Sequence, residues 1–99
     1  MPKVAVAVPH DQPPEEVAEK IKPAIDKTVQ DFQGYDVEIN WTGCDATFQF
    51  KSMAFTIKGK VAVDAQQALV EVDLPFAAIM FKERTEKAIT KNLTRALEQ

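Results

Sequence analysis

Five stretches of this chain alternate apolar and polar or small side chains residue by residue. Successive side chains of an extended strand point to opposite faces, so each stretch reads as a strand with one dry and one wet side. The first sets Val4, Val6 and Val8 against the small Ala5 and Ala7. Tyr35, Val37, Ile39 and Trp41 then alternate with Asp36, Glu38 and Asn40, and Ala46, Phe48 and Phe50 with Thr47, Gln49 and Lys51. Phe55, Ile57, Gly59, Val61 and Val63 alternate with Thr56, Lys58, Lys60 and Ala62; finally Ala68, Val70, Val72 and Leu74 alternate with Leu69, Glu71 and Asp73. Strands covered on both faces, as in parallel sheets, read instead as continuous apolar runs. The pattern therefore predicts an antiparallel sheet covered on one face only. Thr42-Gly43-Cys44-Asp45 has the composition of a hairpin turn between the second and third strands.

Two segments carry helical spacing instead. Val17, Ile21, Ile25, Val29 and Phe32 recur at i, i+4 or i+3, with Ala18, Ala24 and Thr28 beside them. Pro13, Pro14, Glu15 and Glu16 suit a first turn, with Asp11 or Gln12 as cap, and Gly34 ends the helix. Pro23 lies about 200° from Ile21 and Ile25, on the solvent side, where it allows a bend. A second helix is expected from Pro75 to the C-terminus, with Ala78, Ile79, Phe81, Thr85, Ala88, Ile89, Leu93, Ala96 and Leu97 facing inward. Arg84, Lys87, Lys91 and Arg95 recur on roughly the opposite side as a basic stripe. The expected fold is α+β, a two-layer sandwich in the order β-α-β-β-β-β-α with both helices on one face of the sheet, as a single domain over residues 1–99.

A chain of 99 residues can bury roughly two-thirds of its extended surface, enough for one core. Its longest apolar runs, residues 4–8 and 74–81, fall short of the roughly twenty residues that cross a bilayer. The N-terminus lacks the pattern of a secretory signal, and a cytoplasmic protein is expected. A net charge of −3 argues against non-specific nucleic-acid binding by the whole molecule. The sign is uneven: residues 1–40 hold four lysines against eight acids, residues 75–99 five basic residues against three acids.

Signs of catalysis are sparse. Cys44 is the only cysteine, which excludes an internal disulfide and a thiolate cluster. Asp45 beside it disfavours a reactive thiolate. His10 has Asp11 as neighbour, but adjacency in sequence is no triad, and a histidine closing the loop after the first strand accounts for it. Glu15, Glu16, Glu19, Asp26 and Asp31 fit a solvated helix face better than a metal cluster. No phosphate loop, zinc motif or nucleophile elbow occurs. The chain reads as a non-enzyme without cofactor or metal.

Two groups of residues are candidate binding features. The segment from Leu74 to Phe81 is apolar around nearly its whole circumference, which leaves Phe76, Met80 and Phe81 available to a partner, with Arg84, Lys87, Lys91 and Arg95 downstream suited to an anionic or polymer surface. The plainer reading is a buried helix start and a solvated end that offsets the helix dipole. The aromatics Tyr35, Trp41, Phe48, Phe50 and Phe55 fall on inner strand faces; core filling explains them, and Trp41, Phe48, Phe50 and Phe55 are alternatively the lining of a pocket for a hydrophobic ligand, as in a helix-grip carrier.

Pro9-His10 after the first strand, Trp41-Thr42-Gly43 with Asp45 and Phe48, Gly59-Lys60-Val61-Ala62-Val63, and Leu74-Pro75 leading to Phe81-Lys82 and a helix with Ile89, Leu93 and Leu97 resemble the polyhydroxyalkanoic acid system family of small bacterial proteins. The resemblance covers nearly the entire chain. Two departures stand out: Cys44 intervenes between Gly43 and Asp45, and Thr85 stands where an apolar residue is more usual. The resemblance implies association with the making, storage or surface of polyester granules, through the granule itself or its proteins, and supplies no catalytic residues. Homo-oligomerisation is left open.

Overall fold

The structure, a computed structural model, describes residues 3–98. β1 (Lys3–Pro9) leads to α1 (Pro14–Asp31), followed by β2 (Tyr35–Thr42), β3 (Asp45–Ser52), β4 (Phe55–Val63) and β5 (Gln67–Asp73), then a 3-10 helix (Phe76–Phe81) that runs into α2 (Lys82–Leu97). The sheet has five strands in the order β1-β5-β4-β3-β2, with every neighbour antiparallel. β2 to β5 form a meander. β1, whose place the alternation leaves open, closes the far edge against β5 in the register Lys3↔Asp73 to Pro9↔Gln67. The expected order of elements and the α+β class are those of the molecule.

Alternation decides which face is dry. In β3, β4 and β5 the buried residues are every second one, including Phe48, Phe50, Ile57, Val61, Val70 and Val72. They meet Val17, Ile21, Ile25 and Val29 of α1 and Ile89, Leu93 and Ala96 of α2 in one core. Gly59 lies opposite Phe48 in the ladder, and a Cβ there would stand 2.2 Å from Phe48 Cζ, so the glycine makes room for the ring. That ring stacks on Phe50 at 6.3 Å between centroids.

The dry face is incomplete at one edge. Tyr35 and Val37, expected inside, are 49% and 44% exposed, whereas Ile39 and Trp41 are half-buried. Two helices about 10 Å wide cover about four strands spaced about 4.8 Å apart, and β2 is the fifth. α2 packs over β1 at the opposite edge and α1 beside α2, so the first half of β2 overhangs. A register shift between Tyr35 and Glu38, with Asp36 at φ 52°, re-aims that half of the strand.

The helix ends also refine the expectations. α1 is preceded by Pro13, without a side-chain cap from Asp11 or Gln12. Its C-terminus is a Schellman arrangement: Gly34 N–H donates to the Val29 carbonyl and Gln33 N–H to that of Gln30, both at 2.9 Å. Gln33, at φ 55°, takes the left-handed position. Gly34 is needed for closeness, since a Cβ would lie 2.5 Å from Val29 Cγ1 and 2.8 Å from Phe50 Cδ2.

Residues 76–81 form a 3-10 helix, not the first turns of an α-helix. At three residues per turn its phase differs from the α-helical stripe by about 20° per residue. Ile79, expected inside, is therefore 54% exposed, and Ala78 is the residue that the turn buries. Asn92, outside the expected stripe, is buried and joins the helices: its Nδ2 donates to Thr28 Oγ1 at 2.8 Å and to Asp31 Oδ2 at 3.1 Å. Thr85 is buried too, and its hydroxyl donates to the Phe81 carbonyl at 2.8 Å, which makes a polar residue tolerable there.

Candidate functional site

At the end of the sandwich where α1 stops, the β3–β4 hairpin turns and the 3-10 helix passes, the layers diverge. They enclose an open cleft of about 230 Å³, lined by Phe32, Met53, Phe55, Leu74, Ala78 and Phe81, with Ser52, Ile57, Thr85, Asp31, Gln33 and Arg84 completing it. The Ser52 hydroxyl donates to the Phe32 carbonyl and that of Thr85 to the Phe81 carbonyl, so both protons are engaged. Asp31 accepts from Lys27 at 2.8 Å and from Asn92. These two bonds, with the nearby Lys91 charge, hold its carboxyl below the usual range.

Arg84 stands apart among the cleft's ionisable groups. Its guanidinium carbon lies 5.5 Å from the centroid of the Phe32 ring, and among the described residues it has no carboxylate within ion-pair distance. A cation stacked on an aromatic face keeps its hydrogen-bonding edge free.

The elements that border the cleft also expose large apolar side chains. Phe76, Ile79 and Met80 of the 3-10 helix are 70%, 54% and 77% exposed, and Met53 across the cleft is 63% exposed. Met53 is the first of the two residues turning between Ser52 and Phe55, and its φ is 57°. Glycine, asparagine or aspartate normally fills such a position, because a Cβ there is crowded by the backbone. A methionine held there is a strained apolar side chain presented to solvent. Sequence reasoning passes over Met53 and Phe32; the signal for Met53 was a methionine in a two-residue turn.

The other candidate residues are dispersed. Phe55, Phe81 and Arg84 line the cleft, and Phe76 and Met80 are exposed on the 3-10 helix whose Ala78 and Phe81 line it. Lys87, Lys91 and Arg95 run away along the exposed face of α2; Lys87 pairs with Glu83 at 3.0 Å, and Arg95 borders a shallow groove with Lys20, Lys27 and Glu19. Phe48 and Phe50 belong to the packed core, where the remaining void is about 20 Å³. That is room for about one water at most, far too little for a ligand. Trp41 packs against the core rim with Lys22 Nζ 5.4 Å from its ring centroid. The interior expected for a carrier is thus filled by Phe48 and Phe50 themselves, and the cleft lies nearer the end of the sheet.

His10 closes the loop after β1. Its backbone N–H donates to the Gln66 carbonyl at 2.9 Å and its Nδ1 accepts from the Gln12 N–H at 3.1 Å. Nε2 is buried without a hydrogen-bond partner. Asp64 is near, its carboxyl lowered by N–H bonds from Gln66 and Gln67 and by the His10 charge. Cys44 is half-buried against the core, away from these groups. Among the described residues no three His, Cys, Asp or Glu side chains gather as a metal site, and no helix is long and apolar enough to cross a membrane.

Comparison with known proteins places this geometry in context. The model of a family described as "Putative polyhydroxyalkanoic acid system protein" matches residues 4–97. Among solved structures, the crystal structure of TTHA0849 from Thermus thermophilus is similar at a TM-score of 0.44 and 13% identity, over 98% of this chain and 94% of that one. No curated protein sequence matches the chain.

Proposed function

Since the chain belongs to the polyhydroxyalkanoic acid system family, we propose that it is a non-catalytic accessory protein that contacts the surface of polyester storage granules through the apolar end of the sandwich. The supporting observation is that two separate elements bordering one cleft leave large apolar side chains exposed: Phe76, Ile79 and Met80 on the 3-10 helix and Met53 on the β3–β4 turn. Large side chains left this exposed are lost opportunities for burial in the free protein, and a contiguous group of them is characteristic of a contact surface. Arg84 and the basic run of α2 follow the 3-10 helix in the chain and suit an anionic surface. A cytoplasmic, granule-associated location follows from this reading.

His10 favours a structural role here, since its ring meets a backbone N–H and no nucleophile. The experiment is sedimentation of the purified protein with poly(3-hydroxybutyrate) granules. The wild type and His10→Ala pellet alike, and Phe76→Ser/Met80→Ser stays largely in the supernatant. Equal pelleting by the double variant would discard this surface, and no pelleting by any form would discard the granule role.

A further inference from the structure

The cleft beside this surface has a chemistry of its own. Its walls are the side chains of Phe32, Phe55, Leu74, Ala78 and Phe81, and its charged groups are Asp31 and Arg84. Asp31 is neutralised by Lys27 and tied to Asn92, so its negative charge is offset within the protein. Arg84 has no such partner among the described residues. An apolar trough with one uncompensated guanidinium at its edge matches a molecule with an apolar tail and a single anionic head.

We infer that this cleft binds a medium-chain monocarboxylate, its acyl tail between Phe55, Phe81 and Ala78 and its carboxylate on the Arg84 guanidinium. Arg84 suits that head because its planar fork offers two parallel N–H donors to the two oxygens of a carboxylate. The hydroxyls of Ser52 and Thr85 already donate to backbone carbonyls, leaving no further hydroxyl donor for a second head group. Sugars and nucleotides, which need many polar contacts, are disfavoured on this lining.

Size sets the tail length. At roughly 30 Å³ for a water-sized group, a volume of about 230 Å³ holds about seven or eight such groups. Ile57 and Thr85 also border the core void of about 20 Å³, which has room for about one water-sized group and no continuing chain. The cleft therefore has a floor, and tails longer than about eight carbons must protrude. The inference does not require Phe76 or Met80 to touch a granule.

Titration of the isotopically labelled full chain with octanoate, followed by amide resonances, tests it. Saturable shifts are expected at Phe55, Ala78, Phe81 and Arg84. Arg84→Gln, on an exposed side chain, should leave the fold intact and weaken octanoate about tenfold or more, and octan-1-ol should bind the wild type about tenfold more weakly than octanoate. Dodecanoate should bind no tighter than octanoate once its greater general hydrophobicity is corrected with Arg84→Gln as reference. Absence of saturable shifts at millimolar octanoate, or equal affinity of wild type and Arg84→Gln, overturns the inference. The Phe76→Ser/Met80→Ser protein should still bind octanoate. If octanoate fails while granule sedimentation stands, the cleft inference alone falls; the reverse outcome removes only the granule reading.

Discussion

Replacing Met53 by glycine should move stability and granule binding in opposite directions. At φ 57° a residue with a Cβ costs roughly 1–2 kcal/mol relative to a right-handed or extended conformation, and glycine removes that cost. Against this stands the greater freedom of glycine in the unfolded chain, roughly 0.5–1 kcal/mol. Met53 is 63% exposed, so little packing is lost. The net is a gain of about 0–1.5 kcal/mol, seen as an unchanged melting temperature or a rise of several degrees. Granule binding loses the methionine: full burial of such a side chain is worth about 1.5–3 kcal/mol, and its exposed portion thus about 1–2 kcal/mol, or roughly 5–30-fold in affinity. Met53→Ser keeps the strained backbone but loses the apolar group, so it should bind as weakly as Met53→Gly without the gain in stability. Thermal unfolding and granule partitioning on the three proteins give the answer. A Met53→Gly protein less stable than wild type, or one that binds granules as tightly, would refute the idea that strain is tolerated here to present a contact residue.

Three further outcomes follow from the packing. Gly59→Ala should destabilise by about 1–3 kcal/mol in denaturant unfolding, because Phe48 must move, and Phe48→Leu in the same chain should recover part of the loss. Asn92→Ala should cost about 1–2 kcal/mol by removing the donor shared between Thr28 and Asp31, with Asn92→Gln failing to restore it. Asp64 has a folded pKa below its ordinary 3.8, so its contribution is complete above that value and fades as pH falls through the lowered one. Asp64→Ala should therefore lower the melting temperature at neutral pH, and the gap from wild type should shrink as the pH is taken below 3.8.

Much of the architecture was legible because period-2 alternation is imposed by the same burial that builds the sheet. Val61, Val63, Val70 and Val72 could face only one way, and the stripe Val17, Ile21, Ile25, Val29 could only be a helix buried on one side. Tyr35 and Val37 misled because alternation reports which face a residue occupies, whereas burial also needs a helix above it, and two helices do not reach the fifth strand. Ile79 misled because an apolar run carries no mark of whether it winds with three or 3.6 residues per turn. The cleft was the least legible. Its residues come from the end of α1, a hairpin tip, the 3-10 helix and the start of α2, and only the packing of the helices on the sheet brings Met53 and Phe81 to one cleft and Arg84 over Phe32. Phe76, Met80 and Arg84 were visible in the sequence as candidates; what they surround was not.

Methionine oxidation provides the most direct test of the apolar end as a contact surface. Met53 and Met80 lie on different elements and are both largely exposed in the free protein, so a brief peroxide pulse read by mass spectrometry should oxidise both at similar rates. With the protein on poly(3-hydroxybutyrate) granules, both should become markedly slower together. Unchanged oxidation of both methionines in granule-bound protein would contradict the proposed face.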